Sequence, residues 1–207
     1  MNSLNELVAI APPPQNPIDT GRGQDITVAE NEIGIQLPSD YIEYIRIYGN
    51  CLWYQHLFLY SPFSSEKFLS LWERHKYNIE QMKIMCKYLP PPTPYAVFPE
   101  PRGIFLCGGD IYGEFLAWIT EGSPQEWPIV YFNVDGGIFE KFNMNITTFL
   151  LKLVKGEIKP ALFPDDIRHN HNNRSIATSN IALTPHIAIP SKTPIEFSEV
   201  TIGAIME

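Results

Sequence analysis

The stretch from Val28 to Asn50 constrains this chain more than any other, because it holds the end of one helix, the start of the next and the second helix's buried face. Val28, Ala29 and Glu32-Ile33 end a short helical run, and Gly34 supplies the positive-φ stop that glycine adopts without steric cost. Leu37-Pro38-Ser39-Asp40 restarts the chain: Pro38 pre-sets φ for a helix start, and Ser39 or Asp40 can accept a hydrogen bond from the first free amides. Glu43 sits where an acid favours a helix N-terminus. Tyr41, Ile42, Ile45 and Tyr48 form an apolar stripe at helical spacing, and Gly49-Asn50 closes the helix. Nothing in the segment can bind a metal, attack a carbonyl or cradle a phosphate, so its residues read as a structural αα corner.

The rest of the chain separates helices from strands. Leu4, Leu7, Val8 and Ile10 suit one or two helical turns, stopped by Ala11-Pro12-Pro13-Pro14, and residues 1–24 read as a peripheral N-terminal extension. Cys51–Tyr54 and Leu57–Tyr60 read as strand-like apolar runs. A helix capped by Ser64 or Ser65 is expected next, burying Phe68, Leu69, Leu71, Trp72 and His75 and ending at Pro90-Pro91-Pro92. Gly103–Cys107, Glu114–Thr120, Ile129–Asn133 and Gly137–Phe142 are candidate strands, separated by turns at Gly108-Gly109, Gly122-Ser123-Pro124 and Asp135-Gly136-Gly137. Short consecutive strands with tight turns imply an antiparallel meander. Thr147–Lys155 is amphipathic and stopped by Gly156, so the expected class is α+β, one domain over residues 25–164 with a sheet packed against helices. Residues 165–207 begin with a polar linker and continue as weakly alternating segments broken by Pro185, Pro190 and Pro194, a C-terminal extension suited to docking on the sheet.

Three blocks of this sequence, in order, resemble the SUKH superfamily, also called the cell-wall assembly regulator-like family. The first is Ile33–Tyr41 with Ile45 and Tyr48-Gly49-Asn50; the second is Phe98–Asp110, Gly113–Trp118 and Glu126–Val130. The third is Phe142 with Phe149-Leu150 and Leu153–Gly156. The resemblance implies a SUKH-like fold and a non-enzymatic bacterial immunity protein that neutralises a cognate toxin of a polymorphic or contact-dependent toxin system. Many such toxins are nucleases or other nucleic-acid-modifying enzymes with basic clefts. The alternative it implies is a regulatory protein-binding scaffold related to cell-wall regulators.

Charge bears on the partner. Fifteen basic residues against twenty-three acidic ones give a net charge of −8, the wrong sign for direct nucleic-acid binding. Between Glu100 and Glu140, seven acids face the single base Arg102. An acidic surface of this kind steers a basic partner, and the expected partner-binding residues are Asp110, Tyr112, Glu114, Glu121, Glu126 and Asp135. Trp118 and Trp127 read as packing residues, whereas Trp53, Tyr112 or Trp127, if exposed beside the acids, would supply a rigid interface anchor.

Enzymatic readings find little support. His169-Asn170-His171 and His186 lack a cysteine pair or a positioned carboxylate, and Cys51, Cys86 and Cys107 lack ligand spacing, so no metal and no cofactor is expected. Gly108-Gly109-Asp110 and Asp135-Gly136-Gly137 lack the lysine and following helix of a phosphate loop. Cys107 has no local histidine to activate it, and no carboxylate pair stands out, leaving no catalytic residue to name. No apolar run approaches the about 20 residues of a membrane span, and Met1–Glu6 lacks a basic n-region, so the expected location is the cytoplasm.

Overall fold

The αα corner is held by contacts that reach well beyond it. In the computed structural model, which describes residues 2–88, 94–134, 136–164 and 177–178, helix α1 covers Ser3–Ile10, α2 Ile26–Ile33 and α3 Ser39–Tyr48. Asp25 caps α2 by accepting from the Thr27 amide at 2.9 Å, and Gly34 ends it in the left-handed region. The interior stripe of α3 is Tyr41, Tyr44, Ile45 and Tyr48; Tyr44 takes the place expected for Ile42, which is only half-buried. Each of these tyrosines has its hydroxyl engaged, as a buried polar group requires. Tyr41 donates to the Tyr60 carbonyl at 2.6 Å, Tyr48 donates to the Ala11 carbonyl at 2.7 Å, and Tyr44 accepts from the Trp53 indole at 2.8 Å.

Ser39 and Asp40 do not cap their own helix as expected. The Ser39 amide and hydroxyl both donate to Gln125 Oε1, and Asp40 Oδ2 accepts from the amide and hydroxyl of Thr147 at 3.0 and 3.1 Å. Asp40 thus satisfies an orphan donor at the start of α5 (Ile146–Lys155), 107 residues away in sequence. Gly49 follows α3 at φ 61, where a Cβ would lie 1.8 Å from the Ile18 carbonyl oxygen, so only glycine lets these backbones meet.

The strands are β1 (Leu52–Trp53), β2 (Leu57–Leu59), β3 (Ile104–Asp110), β4 (Phe115–Ile119), β5 (Ile129–Asn133), β6 (Ile138–Phe142) and β7 (Ala177–Thr178). Their antiparallel order is β6-β5-β4-β3-β2-β1-β7, so β3 to β6 form the expected meander and the β1–β2 hairpin extends it through β2. Between β2 and β3 runs helix α4, Leu71–Tyr88, which packs on β3. Strands β3, β4 and β5 are buried almost throughout, while β6 is largely half-buried or exposed. Helices and strands segregate along the chain, and the fold is α+β.

Three expectations need correction. The first helix is no peripheral lead: Leu4, Leu7 and Ala11 are buried where α1 packs against α5 and α3. Helix α4 starts at Leu71 and not near Ser65, because Ser61 pairs with Leu69 and Leu71 through backbone hydrogen bonds while Leu69 and Ser70 close a turn onto the Glu66 carbonyl. Phe68 is consequently exposed. Gly108-Gly109 is no turn but part of β3, beyond a bulge at Cys107. A Cβ on Gly108 would meet the Phe58 carbonyl oxygen at 2.4 Å, so the glycine serves close strand approach and the turn moves to residues 111–113. Pro90–Pro92, Asp135 and most of residues 165–207 lie outside the described residues.

Helix α5 offers a direct test of local physics. Asn145 caps it by accepting from the Thr148 amide at 3.0 Å, with the α5 face of Phe149, Leu150 and Leu153 buried behind it. Asn145→Ala is expected to lower unfolding stability by about 1 kcal/mol, read from the urea midpoint at unchanged slope.

Candidate functional site

In a meander, alternate connections fall on the same edge of the sheet. The β1–β2 turn at residues 54–56, the β3–β4 turn at 111–114 and the β5–β6 turn at 134–137 share one edge, because Leu57 pairs with Asp110 and Phe115 with Phe132. The β4–β5 connection lies at the other. The first edge carries the exposed side chains Ile111, Tyr112 and Ile138, with Tyr112 62% exposed.

A buried polar network stands beneath this edge. Asp110 Oδ2 accepts a hydrogen bond from the Tyr131 hydroxyl and lies 3.3 Å from His56 Nε2. Asp110 Oδ1 accepts from the Tyr112 amide at 2.8 Å and the Glu114 amide at 3.0 Å, so one carboxylate ties the turn to β5 and to the β1–β2 connection. Burial alone would raise the Asp110 pKa, but the hydrogen bonds from His56 and Tyr131, the His56 charge and the Glu114 amide together hold it below the ordinary value. Burial, then the adjacent Asp110 charge, push the Tyr131 hydroxyl up. The His56 ring packs against Phe163 at 4.7 Å and Tyr112 at 5.3 Å. Glu114 Oε1 accepts from Asn133 Nδ2, joining the β3–β4 and β5–β6 hairpins. The exposed Tyr112 ring therefore stands on a turn fixed from three sides.

The expected partner-binding residues are divided by this topology. Tyr112 and Glu114 lie on the three-hairpin edge, whereas Glu121 and Glu126 follow β4 at the opposite one, a five-residue strand away, about 16 Å at 3.3 Å per residue. Glu121 is also paired with Arg102 at 3.1 Å. Asp110 is buried and spent on internal contacts, so its carboxylate is not presented to a partner. Asp135 lies outside the described residues. Of the three anchor candidates, Trp53 and Trp127 are buried and Tyr112 alone is exposed; Trp118 and Trp127 pack in the core, as expected.

The family model SUKH_6, described as SMI1-KNR4 cell-wall, matches residues 23–150. The chain belongs to the SUKH superfamily. No curated protein and no solved structure matches it. The SUKH match runs from the αα corner through α5's Leu150 and includes every residue of the His56–Asp110–Tyr131 network.

Sequence reasoning missed Ile111, Ile138, His56 and Tyr131. The two isoleucines were findable, since Ile138 adjoins Gly137, Ile111 lies two residues from Gly109 and Gly113, and meander parity places both turns on one edge. The network was not, because His56 and Tyr131 are 75 residues apart and nothing local marks either one. Among the described residues, no group of three or more His, Cys, Asp or Glu side chains could hold a metal ion, and no helix is long and apolar enough to cross a membrane.

Proposed function

We propose that this SUKH protein is a non-catalytic immunity protein that neutralises a cognate toxin of a bacterial polymorphic or contact-dependent system, docking through its three-hairpin edge. The observation that supports this most is Tyr112, an exposed aromatic on a turn whose backbone is already immobilised, flanked by Ile111 and Ile138. A rigid amphipathic ring gives large contact area at small entropic cost, the composition of a binding hot spot. The net charge of −8 adds long-range attraction toward a toxin with a basic cleft, whether a nuclease or another nucleic-acid-modifying enzyme, and cytoplasmic residence would place the protein where such a toxin acts. Because Glu121 and Glu126 lie away from Tyr112, the acids act through the overall field while the edge supplies the contact.

The test is co-expression with the polymorphic toxin encoded next door, followed by rescue of growth and isolation of a one-to-one complex. Tyr112→Ala is expected to weaken that complex by about 2 kcal/mol or more, roughly 30-fold in Kd, with unfolding stability changed by no more than about 0.5 kcal/mol. Unchanged affinity would move the contact surface elsewhere. Failure of the neighbouring product to bind or be neutralised would favour the second reading, a regulatory scaffold, which the cell-wall wording of the family description supports and which would present the same edge to a peptide client.

A further inference from the structure

Helix α4 turns polar side chains toward the sheet. Among the described side chains its buried positions, Leu71, Arg74, His75, Asn78, Ile79 and Met82, follow helical spacing, yet three of these six are polar. His75 is accounted for, since its Nδ1 accepts from the Leu106 amide at 3.2 Å. Arg74 is accounted for only in part, by a hydrogen bond to the Tyr60 hydroxyl that leaves Nε unpartnered, and Asn78 Nδ2 is not accounted for. Both are 5% exposed, and Arg74 Nε and Asn78 Nδ2 are sealed from solvent without an acceptor among the described residues. No carboxylate among those residues pairs with Arg74. Its guanidinium instead lies 5.8, 5.7 and 5.6 Å from the ring centroids of Tyr60, Phe68 and Tyr77. A buried donor without an acceptor costs about 1–3 kcal/mol, and more when charged, so two of them one turn apart call for a missing acceptor.

We infer that Arg74 and Asn78 form a carboxylate-binding site for an acidic side chain of a protein partner, one oxygen accepting from Arg74 Nε and the other from Asn78 Nδ2. A carboxylate matches the site in charge: one guanidinium is offset by one negative charge, whereas a phosphate dianion would leave an uncompensated charge in a closed site of an acidic protein. It also matches in shape, having two acceptor oxygens for two donors. Phe68 and Tyr77, 58% and 62% exposed, are the exposed rings beside the guanidinium, and the proposed site is entered when one of them swings aside. The same exposed rings offer apolar contact to the residues flanking the acidic side chain. This site does not depend on the immunity reading, and its test needs no toxin.

The measurement is a titration of the ¹⁵N-labelled chain with the blocked peptide acetyl-Gly-Glu-Gly-amide, following the arginine Nε–H resonance that Arg74→Lys removes. A saturable shift with this peptide, absent with the Gln counterpart and with sodium chloride at matched ionic strength, is expected, and phosphate should bind no more tightly. Asn78→Leu, which keeps the forked side-chain skeleton and removes the donor, should weaken binding about tenfold while leaving the spectrum folded. No saturable shift, an equal response to the Gln peptide, or full affinity in Asn78→Leu would overturn the assignment. Acetate binding as tightly as the Glu peptide would overturn the protein partner as its source.

Discussion

Asp110→Ala should lower unfolding stability by about 3–5 kcal/mol, enough to unfold a marginal domain of this size at physiological temperature. The size follows from what the carboxylate serves. Its removal takes the carboxylate acceptor from the Tyr131 hydroxyl and His56 Nε2, leaving them only each other at 3.3 Å, and strands the Tyr112 and Glu114 amides at the turn. Each stranded donor costs about 1–3 kcal/mol, less whatever water recovers. Asp110→Asn, which keeps the shape and one acceptor oxygen, should fall between the two, and Tyr131→Phe should cost about 1 kcal/mol because it removes a donor and leaves the carboxylate three others. Urea unfolding of the three variants measures the order. If Asp110→Ala stays within about 1 kcal/mol of the parent, the network does not hold the turn. The same series bears on binding: in Asp110→Asn the Tyr112 turn is less firmly fixed, so partner affinity should drop through a faster dissociation rate even where the variant remains folded.

How much of this was legible in the sequence depends on the reach of each interaction. The αα corner, the four central strands and α5 were readable because their signals are local: Gly34 and Gly156 at helix ends, apolar runs bounded by Gly and Pro, and a 3.6-residue stripe. The failures occurred where a distant partner outvoted a local preference. Ser39 and Asp40 have good capping chemistry, yet Gln125 and Thr147 claim them. Gly108-Gly109 has good turn chemistry, yet the β2 backbone needs the space a side chain would occupy. The same limit applied to the site. Tyr112 and Glu114 were identified, but an acidic cluster in sequence was read as a cluster in space, and a five-residue strand separates its two halves. Arg74 and Asn78 carry no local signal, because a polar residue facing inward is visible only once the sheet beneath it is placed.

Stability should fall between pH 7.5 and pH 5 through His75 alone by about 2 kcal/mol. The imidazole is 2% exposed, stacked on Phe105 at 4.1 Å, and its Nδ1 is occupied by the Leu106 N–H. A second proton on the ring would have to displace that bond, and burial, followed by the Lys83 charge, pushes the pKa from 6.5 down to about 3. In the unfolded chain the ring titrates at its ordinary value. Between about pH 3 and pH 6.5 the unfolded state therefore binds one more proton than the folded state, so stability rises with pH across that window. The contribution is fully present above pH 6.5 and is lost progressively as pH falls toward about 3. At about 1.36 kcal/mol per pH unit below 6.5, the loss by pH 5 is the stated 2 kcal/mol. Asp110 acts in a different window, since its lowered pKa gives stability that is present above 3.8 and lost only as pH falls through the folded value. His75→Gln retains an acceptor for the Leu106 amide without a group that titrates here, and its stability between pH 7.5 and pH 5 should be flatter than the parent's by about 2 kcal/mol. Parallel profiles for the two proteins would show that His75 is not held neutral by the fold, and the acid sensitivity would then belong to the carboxylates.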